Sequence, residues 1–450
     1  MKKRRWLLRV GAALLVAVLV ATAVLWDTIC VLFGVEDRSA QQASIPECSA
    51  QLQPPEAGTA DWPCWRGARN DGRSRVAGIR KDWSSGLTKL WEVSYLCQGR
   101  TAGTWSAPVI QGNRLVVPGR DKGRDLVFCL DPKDGTLLWL GSYEAPAKTG
   151  HGPGARATPS IDGDRVYTFG RSGDLACWRL HDGEEVWRVN VRDAGGDEPK
   201  WGFSSSPLIL GHLVLVQAGG TARTIAYDKM TGEVVWKTGK GPAGYASFAT
   251  MTLGERIQLL AFHGTGLAGL DPKDGGELWN VPWKTSYDVN ATTPVVEADS
   301  VLITSAYGTG CALIKIADSG PQVVWQNQTI ASHHSDPHVI EGYVYTYSGS
   351  SHQNRGALKC VDLATGEEQW STGEVGWGTA TYVDGHLLCM DIKGNLFLVK
   401  PDPSEFKKVA ELRNGLGDTR GPTWTIPVVA NGRLYLRFRQ TLVCYDLGSS

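Results

Sequence analysis

Six consecutive residues, His333-His334-Ser335-Asp336-Pro337-His338, carry the residue types of a metal site. On an extended stretch alternate side chains share a side, so His334 and Asp336 would face one way, with His338 able to join them. The same His334 and Asp336 would form an acid–base pair for glycan or polymer cleavage. No partner cluster for them is evident in the chain, so no metal is assigned. A second group is aromatic and cationic: Trp105, Arg156, Trp201, Trp377, Arg420 and Trp424. Such residues, gathered at one mouth, suit a planar, sugar-like or peptide ligand. Other chemistries leave no signature. The sequence has no G-x-S-x-G, P-loop, H-E-x-x-H or C-x-x-C motif, and no catalytic residue is assigned. The glycine-rich stretch 150–155 reads as a connecting loop.

What must position these residues is a repeat. Tryptophan recurs about every 45 residues, at Trp91, Trp139, Trp187, Trp236, Trp279, Trp325 and Trp370. Four copies share the spacing D-x3-G-x3-W: Asp131, Gly135, Trp139; Asp228, Gly232, Trp236; Asp271, Gly275, Trp279; Asp362, Gly366, Trp370. A fifth keeps Gly183 and Trp187 with Arg179 at the Asp position. This is a hairpin: Asp bonds the amides of the turn, Gly supplies a positive φ, and Trp offers a large surface for packing between repeats. Pro108, Pro159, Pro207, Pro294, Pro337 and Pro427 open a second alternating hairpin in six units. Proline is tolerated at a strand's first residue because it need not donate to the ladder.

Two hairpins make a four-stranded blade, and a strand-rich period of this length is that of a β-propeller. The segments around Thr250 and Thr381 bring the Pro-type starts to eight. The outer strands also number eight if FKKVAEL (406–412) is a degenerate one with Val409 in place of Trp. The last unit lacks an outer strand, whereas the first Trp strand, KLWEV (89–93), precedes any complete blade. The fold expected is therefore an all-β, eight-bladed propeller over 88–450, closed by its N-terminal strand, which removes exposed sheet edges. In that topology the residue three before each strand-start Pro looks into the axial funnel. Those positions are Trp105, Arg156, Ser204 and Ser247, then Ala291, His334, Gly378 and Trp424. His151, Lys200, Trp201 and Tyr245 lie nearby in sequence, as do Tyr287, Asn290, His333, Asp336, Trp377 and Arg420.

The formal charge is zero, which gives no argument for a nucleic-acid partner. The N-terminus differs from the rest. Lys2, Lys3, Arg4 and Arg5 precede Trp6–Trp26, a stretch interrupted only by Arg9 and long enough to span a bilayer. Residues 1–35 are expected to form a cytoplasmic basic tip and a single transmembrane signal anchor. A cleaved signal peptide with Ala21-Thr22-Ala23 at the site is the rival reading. Either way the propeller lies outside the cytoplasm, on the periplasmic side of a bacterial membrane. Residues 36–60 read as a linker and 61–87 as a lead-in. Cys129, Cys177, Cys360 and Cys444 occupy one repeat-equivalent position and read as small core residues. Cys48, Cys64 and Cys97 precede the first full blade, and an oxidising compartment permits a disulfide among them.

The hairpin motif, the blade count and the extracytoplasmic address together resemble the PQQ-like repeats of bacterial quinoproteins. They resemble equally the outer-membrane assembly proteins of the BamB type, which share the repeat without the quinone. DWPCWRGARNDGRS (61–74) is similar to the WPxWRG lead-in of PQQ-like repeat proteins. The BamB resemblance implies a binding or scaffolding module of the cell envelope with an envelope protein as partner. The quinoprotein resemblance implies, as the alternative, a PQQ-dependent oxidoreductase of alcohol or sugar type, with the quinone in the funnel against Arg156, Trp105 or Trp424. Members of that type carry adjacent cysteines and calcium-binding carboxylates. This chain has no Cys-Cys pair and no Asp-rich loop.

Overall fold

A computed structural model describes residues 43–49, 58, 60–98, 103–146, 152–350, 355–417, 419 and 422–448. These residues form eight antiparallel blades, each of four sequential strands except the last. Blade 1 runs from Val109–Gln111 to Leu137–Glu144, and blade 7 from Gly378–Val383 to Lys407–Leu412. Blade 8 takes Val428–Ala430, Arg433–Phe438 and Thr441–Asp446 from the C-terminus and Lys89–Val93 from the N-terminus, in the expected closure. Arg437, fully buried, fastens this seam by donating to the carbonyls of Ser106 and Pro118 in blade 1 at 2.8 and 2.5 Å. A two-residue strand, Cys97–Gln98, adds itself in parallel to Arg114–Asp121.

The repeat motif has one mechanical role. Each conserved glycine of the Asp–Gly turn has φ between 74° and 77°, and the turn Asp accepts backbone amides, as Asp131 does from Lys133 at 2.7 Å. The tryptophan of one blade lies over the glycine of the next. A Cβ on Gly183 would sit 2.5 Å from the Trp139 ring, and one on Gly232 would sit 2.8 Å from Trp187. The indole N–H then donates to a carbonyl of the same turn: Trp139 to Leu180 at 3.0 Å, Trp236 to Pro272 at 3.0 Å, Trp325 to Leu363 at 2.9 Å. Trp91 bonds Pro132, carrying the series across the seam.

Two junctions break the series. Blade 5 turns at Ala317–Gly320 without the motif, so Trp279 folds over Gly269 of its own blade and donates to Gln258 at 2.7 Å. In blade 7 a register shift between Leu398 and Val399 leaves Val409 as the unpaired residue, 43% exposed, with Ala410 opposite Leu398. Ala410, rather than Val409, stands at the Trp position. The same shift precedes the Trp position in all eight blades. It is a β-bulge, and it re-aims the Trp toward the neighbouring blade.

The lead-in segment is the element that the repeat does not predict. It crosses the mouth opposite the funnel and bonds to blade after blade. Trp62 pairs with Ile110 of blade 1, and the Pro63 carbonyl accepts from Ile161 of blade 2 at 2.7 Å. Asn70 donates to Phe248 at blade 4 at 3.0 Å, Trp65 to Thr293 at blade 5 at 2.9 Å, and Arg66 to Asp336 at blade 6 at 3.1 Å. Ser74 reaches Tyr382 of blade 7 and Val429 of blade 8, both at 2.8 Å.

Cys129, Cys177, Cys360 and Cys444 are buried in the blades, as expected. Cys48, Cys64 and Cys97 are free thiols, so the disulfide expected among them is not formed. Cys64 donates to Gly67 in its own turn and Cys97 is buried beside Thr104, so each sulfur has a local partner. Residues 1–35, with the expected anchor, lie outside the described residues. Among the described residues, no helix is long and apolar enough to cross a membrane.

Candidate functional site

Seven of the eight positions three residues before a strand start meet around one cavity of about 160 Å³ on the channel axis. They meet because each blade's innermost strand begins there. The proline that opens six of these strands offers no N–H for further pairing, so the preceding residues leave the ladder and turn inward. Gly378 is the exception. Its strand pairs back to Gly378↔Asp391 and keeps this position in the sheet, whereas the other strand without the proline begins pairing only at Ala249 and leaves Ser247 in the cavity wall.

The wall is largely aromatic. Trp105 and Trp424, from the first and last blades, have ring centroids 4.5 Å apart and planes tilted by 41°. Trp424 continues to His334 at 5.1 Å, and His334 stacks on His333 at 3.8 Å. Tyr307 meets His333 edge-on at 5.2 Å. Trp201 and Tyr245 also line the cavity, and the Tyr245 hydroxyl accepts the Trp201 amide at 3.3 Å. Ser204, Ser206 and Ser247 add hydroxyls.

Arg156 is the cation of the wall, held by its donations to the carbonyls of Gly154 and Gly152 at 3.1 and 3.2 Å. Burial, then the nearby Arg171, lowers its pKa to about 9, which leaves it charged at neutral pH. Behind it Arg120 pairs with Asp125 at 2.7 Å, and Arg171 faces Glu198 at 3.8 Å. Burial pushes Asp125 up to about 6 despite its partner. No Asp or Glu among the described residues lines the cavity.

Of the expected site residues, Trp105, Arg156, Trp201, His334 and Trp424 come together here. Four others have different roles. Asp336 points away from His334: it receives Arg66 at 3.1 Å and the Thr293 amide at 2.8 Å, fixing the lead-in. His338 is buried and bonds Ala380, and burial drives its pKa down to about 3. The His–Asp–His run therefore does not converge, which removes both the metal trio and the acid–base pair. Trp377 is 3% exposed and packs over Gly356, where a Cβ would lie 2.0 Å from its ring. It backs His334 edge-on at 6.0 Å and does not face the funnel. Asn290 is likewise structural, donating to His263 and Trp283 and accepting from Ser305. Arg420 and His151 lie outside the described residues.

Sequence reasoning missed the floor. Trp65 of the lead-in lines the cavity from below, so the channel is blind at that end. Tyr307 was missed as well. It stands with φ 60°, a left-handed conformation rare for an aromatic residue. Tyr287, 60% exposed, has φ 61° and carries the Lys200 ammonium 4.1 Å from its ring.

Solved structures show the same fold at low sequence identity. BamB from Moraxella catarrhalis matches with a TM-score of 0.57 and 16% identity, covering 80% of this chain and 98% of that one. Quinohemoprotein alcohol dehydrogenase from Comamonas testosteroni matches at 0.60 and 12%, covering 87% and 81%. A europium-containing methanol dehydrogenase matches at 0.60 and 13%, covering 84% and 89%. No curated protein matches the chain in sequence. Residues 123–372, more than half of the chain, match the profile of the family described as outer membrane protein assembly factor BamB, and the chain belongs to that family of PQQ-like propellers.

Proposed function

We propose that the chain is a membrane-tethered, extracytoplasmic binding and scaffolding module of the cell envelope. The observation that carries this reading is the blind aromatic cavity at the funnel mouth, with a wall free of carboxylates among the described residues. Such a cavity can grip a ligand or an inserted side chain, and it presents no carboxylate among the described residues to hold a metal. Family membership and the name of the Moraxella protein favour a protein partner in the envelope. The tether is the basic, apolar N-terminus read from the sequence.

The quinone alternative fits these residues poorly. Calcium beside a quinone needs oxygen ligands, and no group of three His, Cys, Asp or Glu among the described residues could hold a metal. Trp105 and Trp424 also lie against each other, with ring centroids 4.5 Å apart, and leave no room for a flat cofactor between them.

The test is crosslinking in intact envelopes, comparing the natural chain with Trp424→Ala and Tyr307→Ala. One defined envelope protein should crosslink to the natural chain and be lost with the funnel variants, while the chain itself stays in the membrane fraction. Retention of the crosslink in both variants would overturn the funnel as the docking face. Incubation of the soluble part, from about Gly58, with pyrroloquinoline quinone and Ca²⁺ should leave no retained chromophore and no dye-linked alcohol oxidation.

A further inference from the structure

We infer that the mouth opposite the funnel carries a second binding site, where an extended peptide of a partner protein adds itself to the innermost strand of blade 3. The site does not depend on what the funnel holds.

Six blades open with an innermost strand of three residues: Val109–Gln111, Ser160–Asp162, Leu208–Leu210, Val295–Glu297, His338–Ile340 and Val428–Ala430. Each turns into the next strand through two residues, so its first and third residues form the hydrogen-bonded pairs of the hairpin. The N–H and C=O of the middle residue then face the channel. The lead-in occupies several of these edges. Trp62 exchanges both bonds with Ile110, at 2.9 and 3.0 Å, and Pro63 accepts from Ile161 at 2.7 Å. Arg73 covers the Val339 carbonyl, and Ser74 donates to that of Val429 at 2.8 Å.

Blade 3 is passed over. After Pro63 the lead-in folds into two turns, closed by Gly67 to Cys64 at 3.0 Å and Asn70 to Gly67 at 2.9 Å. Asn70 then reaches Phe248 at blade 4. Among the described residues, the channel-facing N–H and C=O of Ile209 have no backbone partner. A cavity of about 400 Å³ lies between the lead-in and this edge, and Ile161, Pro207, Leu208, Ile209 and Phe248 give it apolar walls. Leu208–Leu210 is the one strand of the six with no fully buried residue. Its apolar surface therefore gains most from a cover.

The polar groups of the same cavity match a peptide unit. Asn70 spends its Nδ2 on Phe248 at 3.0 Å, and its Oδ1 is buried without a donor. The hydroxyls of Ser206 and Ser247 accept the amides of Thr158 and Ser206, both at 2.9 Å, and each keeps its own proton for an acceptor. An acceptor for an N–H, donors for a C=O and an open strand edge together recognise backbone. Alternate apolar side chains of the added strand would meet the walls.

The probes are acetylated, amidated pentapeptides, Ser-X-Val-X-Ser with X as Leu, Phe or Asn, and the Leu peptide N-methylated at its central residues. They are added to the full chain and read by calorimetry and by hydrogen exchange at single amides. In the free protein Ile209 should exchange far faster than Ile110 and Ile161. The Leu and Phe peptides should slow it about tenfold or more and bind about tenfold more tightly than the Asn peptide. The N-methylated peptide, which lacks the N–H groups, should do neither. Ala68→Trp, at an exposed lead-in position lining the cavity, should fill the space and abolish the effect while Ile161 and Tyr382 stay protected. Trp424→Ala in the funnel should leave the effect intact. A free Ile209 protected like Ile110 overturns the proposal, as does failure of the Leu and Phe peptides to slow it. Equal action of the N-methylated peptide, retention of the effect in Ala68→Trp or its loss in Trp424→Ala overturns it too.

Discussion

At the scale of single residues, burial decides what the titratable groups do. His263 and His338 are 1% and 4% exposed, and burial, ahead of nearby arginines, lowers both to about 3. Their folded pKa values lie below the ordinary value near 6.5, so the unfolded chain binds protons that the folded one refuses. Stability should be complete above about pH 6.5 and fall as pH drops toward 3, by on the order of 1.4 kcal/mol per pH unit for each histidine. Urea melts between pH 7 and 4 check this, and His263→Gln should flatten the slope. The Arg66–Asp336 pair is similarly enclosed, with side chains 5% and 10% exposed. Removing one partner, as in Arg66→Met, leaves a buried carboxylate and should cost about 3–5 kcal/mol in the same melts. Residue types were a fair guide to the funnel and a poor one to the His–Asp run. His334 and Asp336 share a face only if the chain between them runs straight. Here it leaves the channel lining at His334 and enters the strand after Pro337, and Asp336 is claimed by the lead-in.

At the scale of the blade, one glycine and one tryptophan act as a joint. Gly232→Ala would force a Cβ into left-handed backbone and to 2.8 Å from Trp187, and should cost about 2–4 kcal/mol. Gly211→Ala, in a hairpin turn at φ 61° with open space around it, should cost about 1 kcal/mol. Equilibrium unfolding of the pair separates the docking contact from backbone strain. The joint explains why the fold could be read from the chain. A residue that must reach across to the next blade recurs with the blade, so the period is visible. Where the joint fails, the sequence misleads. Val409 looks like the missing Trp, yet the bulge that precedes every Trp position claims it, and this bulge has no residue signature. The bulges also leave Leu90, Val186, Val235 and Val324 exposed on outer strands. Twisting those strands guards their open edges against pairing with another chain.

At the scale of the whole molecule, the lead-in turns an open channel into a cup. A chain beginning at Val76 keeps the closing strand and loses the floor. The amides of Ile161 and Tyr382, which bond Pro63 and Gly72, should then exchange with solvent far faster, while those of Lys89–Val93 stay protected. Hydrogen-exchange mass spectrometry reads both. The lead-in was conspicuous in the sequence as WPCWRG, but nothing in a repeat says where a non-repeating segment lies, so Trp65 could be noticed and not placed. Its attachment also sets a timetable. Asp61 binds Asn431, and Lys89–Val93 needs Thr441–Asp446 as its sheet partner. Residues that leave the ribosome early must wait for nearly the last ones. With roughly 350 residues between the two halves of blade 8, synthesis at about 5–20 residues per second leaves the ring open for on the order of tens of seconds. For that interval one strand and one sheet edge are both unmated on the same growing chain, and such non-local pairing is slow once it starts. A chaperone that shields Lys89–Val93 until Asp446 has appeared would protect this protein when it is most prone to pair with the wrong chain.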